Sequence, residues 1–389
     1  MDRPSYYEFF AGGGMARAGL GAGWRCLFAN DFDLKKCGTY RANWGGEELF
    51  PGDVRKVTTA DLPGRADLVW ASFPCQDLSL AGAGAGLKGE RSGTFWPFFE
   101  IVKALRKEGR HPPLLVLENV CGALTSHGGE DFGALCGALA GEGYRFGALV
   151  IDAALFVPQS RPRLFIVALH GDVATPPELI TQTPSALWHT RALRTAQERL
   201  RDDLREKWVW WRLNEPPARN TPLAAIIDER PEGVNWHERD ETRALLALMD
   251  DVNRDKILMA KRECRLTVGT VFRRMRGNRS SGTIQRAEVR FDGLAGCLRT
   301  PAGGSSRQIL LVVNDTQIRS RLLSPRECAR LMGLADTYNL PMRYNETMHL
   351  LGDGVVPPVV SFLEMQLLSS LVEKARASDF FAENAKDAA

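Results

Sequence analysis

Metal-ligand spacing is the first thing missing from this chain. Its eight cysteines (Cys26, Cys37, Cys75, Cys121, Cys136, Cys264, Cys297, Cys328) include no Cys-x-x-Cys pair, and the six histidines add no ligand-spaced set. A zinc site is therefore not expected. A secretory start is missing as well: no cationic stretch followed by an apolar run opens the chain, which enters a strand by about Tyr6. No run of eighteen apolar residues reads as a membrane span. Charge of one sign is also lacking, since 50 Lys/Arg against 47 Asp/Glu leave a net charge of +3. Attraction to a polyanion must then come from local clustering. These absences predict a cytoplasmic protein with reduced thiols, no metal and no membrane partner. The 389 residues, 44% of them hydrophobic, are enough for a proper core and for two or three domains.

The chain is organised around residues 66–79. Leu68 to Phe73 is a short apolar run bounded by turn formers, which predicts a buried strand of a parallel sheet. It ends in Pro74-Cys75-Gln76 and gives way to Ala81-Gly-Ala-Gly-Ala-Gly-Leu-Lys-Gly89, too rich in glycine for a helix. That segment reads as a mobile lid. A thiol at the carboxyl end of a sheet strand, followed by a lid, is where an open α/β fold places its chemistry. A small buried cysteine beside a loop is the plain alternative.

Taken from the start, Tyr6 to Phe10 is a first strand and Ala11-Gly-Gly-Gly14 a tight turn into a helix from Met15 to Leu20. Glycines there permit positive φ and let backbone approach a ligand. A dinucleotide fingerprint would need a third glycine where Arg17 stands. The second strand, Arg25 to Ala29, leads to Asn30-Asp31, an acid placed to accept from a ribose diol. Turn and acid together favour a nucleoside-bearing cofactor. Asp53 could cap the next helix or contact the adenine side of that cofactor. A helix over Thr94–Lys107 precedes the buried strand Leu114–Val120, which ends in Glu118-Asn119. An ionised glutamate ending so apolar a strand needs a partner or a task. Phe146–Asp152 and Arg163–Leu169 complete the strands. Arg161 and Arg163, two apart in extended chain, can point to one side. An antiparallel final strand would bring them to the same sheet edge as Gly12, Asp31, Cys75 and Glu118.

Seven blocks now stand in order: Phe10-Ala-Gly-x-Gly14, Gly52-Asp53, Phe73-Pro-Cys-Gln76, Glu118-Asn-Val120, Gln159-Ser-Arg-Pro-Arg163, Arg321-Leu-Leu-Ser-Pro-Arg-Glu-Cys-Ala-Arg-Leu-Met-Gly333 and Gly352-Asp-Gly-Val-Val356. The set resembles the ordered motifs of the DNA (cytosine-5)-methyltransferases and spans nearly the whole chain. The resemblance implies an α/β, Rossmann-like S-adenosylmethionine-dependent methyltransferase fold: a mixed, mostly parallel sheet with an antiparallel last strand, plus a smaller irregular target-recognition domain. It implies that Cys75 adds to C6 of cytosine, that Glu118 holds the N3/N4 edge of the ring, and that Arg163 steadies the base with Arg161 in support. S-adenosylmethionine, with S-adenosylhomocysteine as product, would lie over Phe10, Ala11, Gly12, Gly13, Gly14 and Met15. Asp31 would take its ribose, Asp53 and Val54 the adenine, with Phe32 also at the cofactor and Pro74 and Phe95 nearby. Asp353, Gly354 and Val355 would sit beside it from the far end of the chain. No metal is implied.

The residue types suit that chemistry. C5 of cytosine is a weak nucleophile until a bond at C6 makes the ring enamine-like, and a thiolate can both add and leave. A carboxyl in an apolar site can share a proton with the ring. The base must leave the duplex, and the lid from Leu80 to Gly89 would close over it. Two positions depart from the family pattern. Asp31 stands where glutamate is more frequent, and Asp353 stands where asparagine is usual, adding negative charge beside the cofactor.

Residues 1–170 are expected to hold catalysis and cofactor, 171–320 the target-recognition domain, 321–375 the return to the catalytic domain, and 376–389 a tail. Arg254 to Arg290 carries eleven Lys/Arg against Asp255, Glu263 and Glu288, a cluster suited to phosphates and guanine edges. Expected DNA contacts are Gln76, Ser79, Arg273, Arg274, Arg276, Arg279, and Ser305, Ser306 and Arg307 of a Gly/Ser loop. The expected partner is double-stranded DNA, bound by a monomer in the nucleoid, with a cognate restriction endonuclease that need not bind it. Methylation of structured RNA, a catalytically silent DNA-binding protein and a nicotinamide oxidoreductase are the rival readings.

Overall fold

The structure, a computed structural model, describes residues 2–74, 87, 92–263, 265–278, 282–301, 307–314 and 317–378, the side chains of 277, 278 and 282 excepted. The chain forms two compact units. The first comprises Met1–Asp152, Pro162–Pro216 and Val359–Ala389; the second comprises Ala153–Arg161 and Pro217–Pro358.

In the first unit, strands and helices alternate as β1 (Ser5–Phe9), α1 (Met15–Leu20), β2 (Arg25–Asp31), α2 (Leu34–Trp44), β3 (Leu49–Pro51), β4 (Leu68–Ala71), α3 (Phe95–Lys107), β5 (Leu114–Val120), α4 (Glu130–Gly141), β6 (Tyr144–Asp152) and β7 (Pro162–His170). They build one seven-stranded sheet in the order β3-β2-β1-β4-β5-β7-β6. All residues of β1 and β4 are buried, as are the first six of β5, because helices cover both faces. Phe28 joins the core that holds Phe98 and Val102 of α3, while its neighbour Ala29 joins Cys37 and Tyr40 of α2. Successive strand residues face opposite ways, so α2 and α3 lie on opposite sides of the sheet.

Only β7 runs against its neighbours, pairing antiparallel with β5 and with β6. The antiparallel strand expected from the sequence is thus present, seated inside the sheet. The unit continues through β8 (Ile180–Thr181), α5 (Arg191–Glu198), α6 (Asp202–Arg205) and β9 (Trp210–Trp211), with β8 and β9 paired.

The second unit contains α7 (Arg239–Ala247), α8 (Asp251–Arg262), β10 (Thr267–Asn278), β11 (Gly282–Arg290), β12 (Ile309–Val313), β13 (Ile318–Leu322), α9 (Pro325–Leu331) and α10 (Tyr344–Asp353). Its strands form an antiparallel sheet in the order β11-β10-β12-β13, so this region is more regular than its sequence shows. Arginines in β10 break the apolar alternation that would have announced a strand. At α9 the expected capping box is present: Ser324 and Glu327 satisfy each other's backbone, with Pro325 at the first helical position.

α11 (Pro357–Leu363) and α12 (Ser369–Ala377) are joined by one π turn, Glu364–Leu368. The expectation of no long apolar run is corrected here. Tyr344–Ala377 is long and apolar enough to cross a membrane, yet 61% of its most apolar window is buried within the protein. That burial is what a core helix shows.

Candidate active site

The carboxyl ends of β1, β2, β4 and β5 carry most of the residues singled out in the first unit. After β1, Phe10 takes φ +60°, rare for a residue with a side chain, and Gly12 and Gly14 follow at +57° and +77°. The turn closes through Gly14 N–H donating to the Ala11 carbonyl at 2.8 Å and Ala11 N–H to the Asn30 carbonyl at 2.9 Å. Asp31 ties it to β2: one carboxylate oxygen accepts from Gly12 N–H at 2.7 Å, the other from Asp33 N–H at 2.8 Å. Burial raises the Asp31 pKa from its usual value, against the pull of Lys36 and of those two amides. Each oxygen keeps a second lone pair for a ligand hydroxyl. Phe32, next in sequence, is 74% exposed. Met15 is buried as the first residue of α1.

Two residues expected at the cofactor also have partners within the protein. Asp53 caps the turn Val54–Lys56, accepting from Arg55 N–H at 2.9 Å and from its guanidinium at 3.1 Å. Of its two readings, the cap is the one observed. The Arg55 amide, first, and its side chain lower the Asp53 pKa. Phe95 is fully buried, its ring 5.2 Å from Phe73 and 5.4 Å from Phe99. Val54 is also buried.

At the end of β5, Glu118 is 5% exposed. Because β7 is reversed, Arg163 pairs with Val120 across the ladder. Its Nε then lies 3.3 Å from a Glu118 carboxylate oxygen. A cation and an acid with little exposure therefore meet at one sheet edge. Asn119, which sequence reasoning noted only as part of a motif, bridges the strands: its amide donates to the Phe73 carbonyl at 3.1 Å, while its oxygen accepts from Val120 N–H at 2.9 Å. Phe73 is two residues before Cys75, so Asn119 holds the backbone just ahead of that residue. Cys75 itself, Gln76, Ser79, Arg279, Ser305, Ser306 and the expected lid, Leu87 excepted, lie outside the described residues; Leu87 is buried and its N–H donates to Asp131 at 3.1 Å. Pro74 is the last described residue before Cys75.

Arg161 belongs to the second unit, and its guanidinium is taken up there. It donates to the carbonyls of Leu298 at 2.8 Å, Gly352 at 2.8 Å and Gly354 at 2.7 Å, and to Cys297 Sγ at 3.3 Å. It is 1% exposed. The pairing with Arg163 expected from the sequence gives way to a structural grip on the Gly352–Gly354 backbone. The extended stretch that would align the two arginines begins only at Pro162, after Arg161. Gly352 must be glycine, since a Cβ there would fall 2.5 Å from the Thr300 nitrogen. Asp353 is exposed at the end of α10, followed by half-buried Gly354 and buried Val355.

On β10, Arg274 and Arg276 share one face. Arg276 is paired with Glu288 of β11, Arg274 lies 3.9 Å from the same carboxylate, and Arg274 stacks over Phe272 at 4.3 Å. Arg273 points to the other face and is half-buried. Arg307 donates to Asn345 at 2.7 Å and lies over Tyr344.

Among the described residues, His111, His170 and Asp172 bring ligand atoms within 4.8 Å of one another, a cluster the sequence spacing hid. It sits at the amino end of β5, where Leu114 pairs with Leu169, away from Glu118. Burial, first, then His170, Arg65 and Arg106 push the His111 pKa down to about 3. The two guanidinium groups oppose a cation there.

A mostly parallel sheet with one reversed strand, a glycine turn and acid after its first strands, and a buried acid–arginine pair at its carboxyl edge define the class of S-adenosylmethionine-dependent methyltransferases. The family profile of C-5 cytosine-specific DNA methylase matches residues 5–369. The chain is 26% identical over 358 residues to Type II methyltransferase M.BsuFI of Bacillus subtilis, spanning 92% of this chain and 70% of that protein. It is 32% identical over 368 residues to Type II methyltransferase M.MspI of Moraxella sp, spanning 94% and 71%. In fold it is similar to S. pombe Dnmt2 methyltransferase (TM-score 0.60, 15% identity, 96% and 99% of the two chains) and to the Entamoeba histolytica methyltransferase EhMeth (0.63, 13%, 95% and 99%). The protein belongs to the C-5 cytosine-specific DNA methylase family. Its methyl donor is S-adenosylmethionine and its reaction is methylation of cytosine at C5.

Proposed function

We propose that this chain methylates a flipped-out cytosine in double-stranded DNA, with Cys75 as nucleophile, Glu118 at the N3/N4 edge and Arg163 as the partner that orients Glu118. The observation that carries these roles is the Arg163–Glu118 contact of 3.3 Å at the end of β5, on the strand next to the one that leads into Cys75. The residues of the first unit fit the methyl donor. Open space lies in front of Gly12, where an added Cβ would meet nothing within 4 Å. Beside it stand a buried carboxylate for a diol and an exposed aromatic ring, Phe32, on which adenine can stack. When bound, the donor supplies an electrophilic methyl on a sulfonium.

The chain's own residues do the rest. A bond forms between the Cys75 sulfur and C6 while Glu118 shares a proton at N3, making C5 nucleophilic. After C5 takes the methyl, loss of the C5 proton and cleavage of the S–C6 bond restore the ring and return the thiolate. Arg163 keeps the Glu118 carboxyl turned to the ring edge. We further infer a cytosolic, nucleoid-associated monomer that reads a specific DNA sequence. It would serve a restriction-modification pair or act alone in regulation. The clustered arginines of β10 and β11 support DNA as the polymer.

The test is incubation with S-adenosylmethionine and duplex DNA containing 5-fluorocytosine. Fluorine cannot leave as a proton does, so an adduct resistant to denaturation should accumulate with the native chain and vanish in Cys75→Ala. DNA binding without any adduct, across many sequence contexts, would overturn the assignment in favour of a silent DNA-binding protein.

A further inference from the structure

The glycine turn is held from outside by a tryptophan that none of the steps above uses. Trp44 ends α2, and its indole Nε1 donates to the Gly13 carbonyl at 2.9 Å. The ring lies so close that a Cβ on Gly14 would fall 2.3 Å from Nε1 and 2.7 Å from Cδ1. The indole edge therefore occupies the space a side chain would take. Trp44 is itself backed by Arg17 of α1. The Arg17 guanidinium lies 5.3 Å from the centre of the indole ring and 5.6 Å from that of Tyr40. It donates to the Tyr40 hydroxyl at 2.8 Å and to the Glu48 carboxylate, which also accepts from Tyr40 at 3.1 Å. One guanidinium thus ties together α1, α2 and the residue before β3, with the turn enclosed.

We propose that Trp44, held in place by Arg17, is a positioning residue for the cofactor: it fixes the Gly13 peptide so that the turn presents one backbone surface to the methyl donor. Three consecutive glycines populate either sign of φ at little cost. Asp31 fixes the Gly12 amide and the indole fixes the next peptide at Gly13; with the second hold removed, that peptide gains orientations, and cofactor binds only the fraction that is correctly turned. The indole N–H holds the Gly13 carbonyl at 2.9 Å, and the ring packs against Gly14. This gives Arg17 a task in place of the missing third glycine. The inference rests on the reading that the turn holds the cofactor.

The measurement is S-adenosylmethionine affinity by calorimetry, with KM for cofactor and for DNA. Trp44→Phe keeps an aromatic ring under Arg17 and removes the N–H together with the five-membered-ring edge that packs on Gly14. It should weaken cofactor binding and raise cofactor KM about tenfold, ~1.4 kcal/mol, with DNA KM unmoved and turnover at saturating cofactor falling less than KM rises. Arg17→Gln should weaken cofactor binding in the same direction. The double variant should be no worse than about the stronger single one, because both act through one contact. Asp31→Ala is the separate probe of the cofactor reading. Weak binding by Asp31→Ala with native affinity in Trp44→Phe would overturn the positioning role alone. Native affinity in both would overturn the cofactor reading beneath it. A lower melting temperature in Trp44→Phe without cofactor, at unchanged affinity, would make Trp44 merely structural and also refute the proposal.

Discussion

Arg161→Lys separates a catalytic arginine from a structural one. The native guanidinium, 1% exposed, reaches three carbonyls between 2.7 and 2.8 Å and a sulfur at 3.3 Å. A lysine ammonium keeps the charge and loses the planar fork, so it cannot span Leu298 on one side and Gly352 with Gly354 on the other. Two charge-assisted bonds are lost, at about 1.5 kcal/mol each, so the local cost is about 3 kcal/mol. Hydrogen exchange reads this directly. Amides around Leu298 and Gly352–Val355 should exchange ~100-fold faster, the conversion of that free energy. The neighbouring grip of Gln159 on the Leu331 carbonyl and the Leu298 amide, at 2.8 and 2.9 Å, survives and keeps the loss from being complete. The covalent adduct to 5-fluorocytosine should still form. Unchanged protection at these amides with adduct formation abolished would refute the reasoning and return Arg161 to the catalytic group.

Two further outcomes are expected. Glu288→Gln releases Arg274 and Arg276 from their shared carboxylate. The slope of log affinity against log salt for duplex DNA, read by fluorescence anisotropy, should steepen by about 0.9 for each arginine that then meets a phosphate; an unchanged slope would mean that the hairpin face does not touch DNA. Glu8 is fully buried in β1, and burial first, with Asp31 and Glu48 adding to it and Arg17 opposing, raises its pKa from near 4.5 to about 8. An acid raised on folding holds its proton longer in the folded state, so stability falls as pH rises from about 4.5 through 8 and stays low above. Glu8→Gln removes that dependence. Its melting temperature should match the native protein near pH 5 and exceed it at pH 9, by on the order of 3 kcal/mol in stability. Parallel pH curves for the two proteins would show that Glu8 does not carry the proton.

Much of the first unit was legible because its signals are local. A run such as Leu114–Val120 has both faces buried, so its apolar residues are contiguous and its ends are marked by turn formers. The turn after β1 demands positive φ, which only glycine takes freely, and the sequence supplies it at Gly12 and Gly14. The second unit was less legible, since its β10 strand alternates around arginines that face solvent and Glu288. The resemblance implies a place near the cofactor for Phe95, and its burial against Phe73 and Phe99 is something no spacing reveals. Asn119 and Trp44 gave no distinguishing signal, because each acts on a backbone carbonyl far away in sequence.

By itself, then, the sequence determined the family, the strand ends that carry the chemistry and the residue types found there, since backbone conformation, apolar burial and nucleophilicity belong to the residues themselves. Tertiary structure decided which of those residues meet. The reversal of β7 brings Arg163 to Glu118, whereas Arg161, two residues earlier, closes on Gly352 and Gly354 instead. Arg17, a mismatch when read along the chain, becomes the support of Trp44 once α1 and α2 are packed together. Electrostatic and hydrogen-bond partners are chosen by distance in space, and that distance is set only when the sheet and helices assemble.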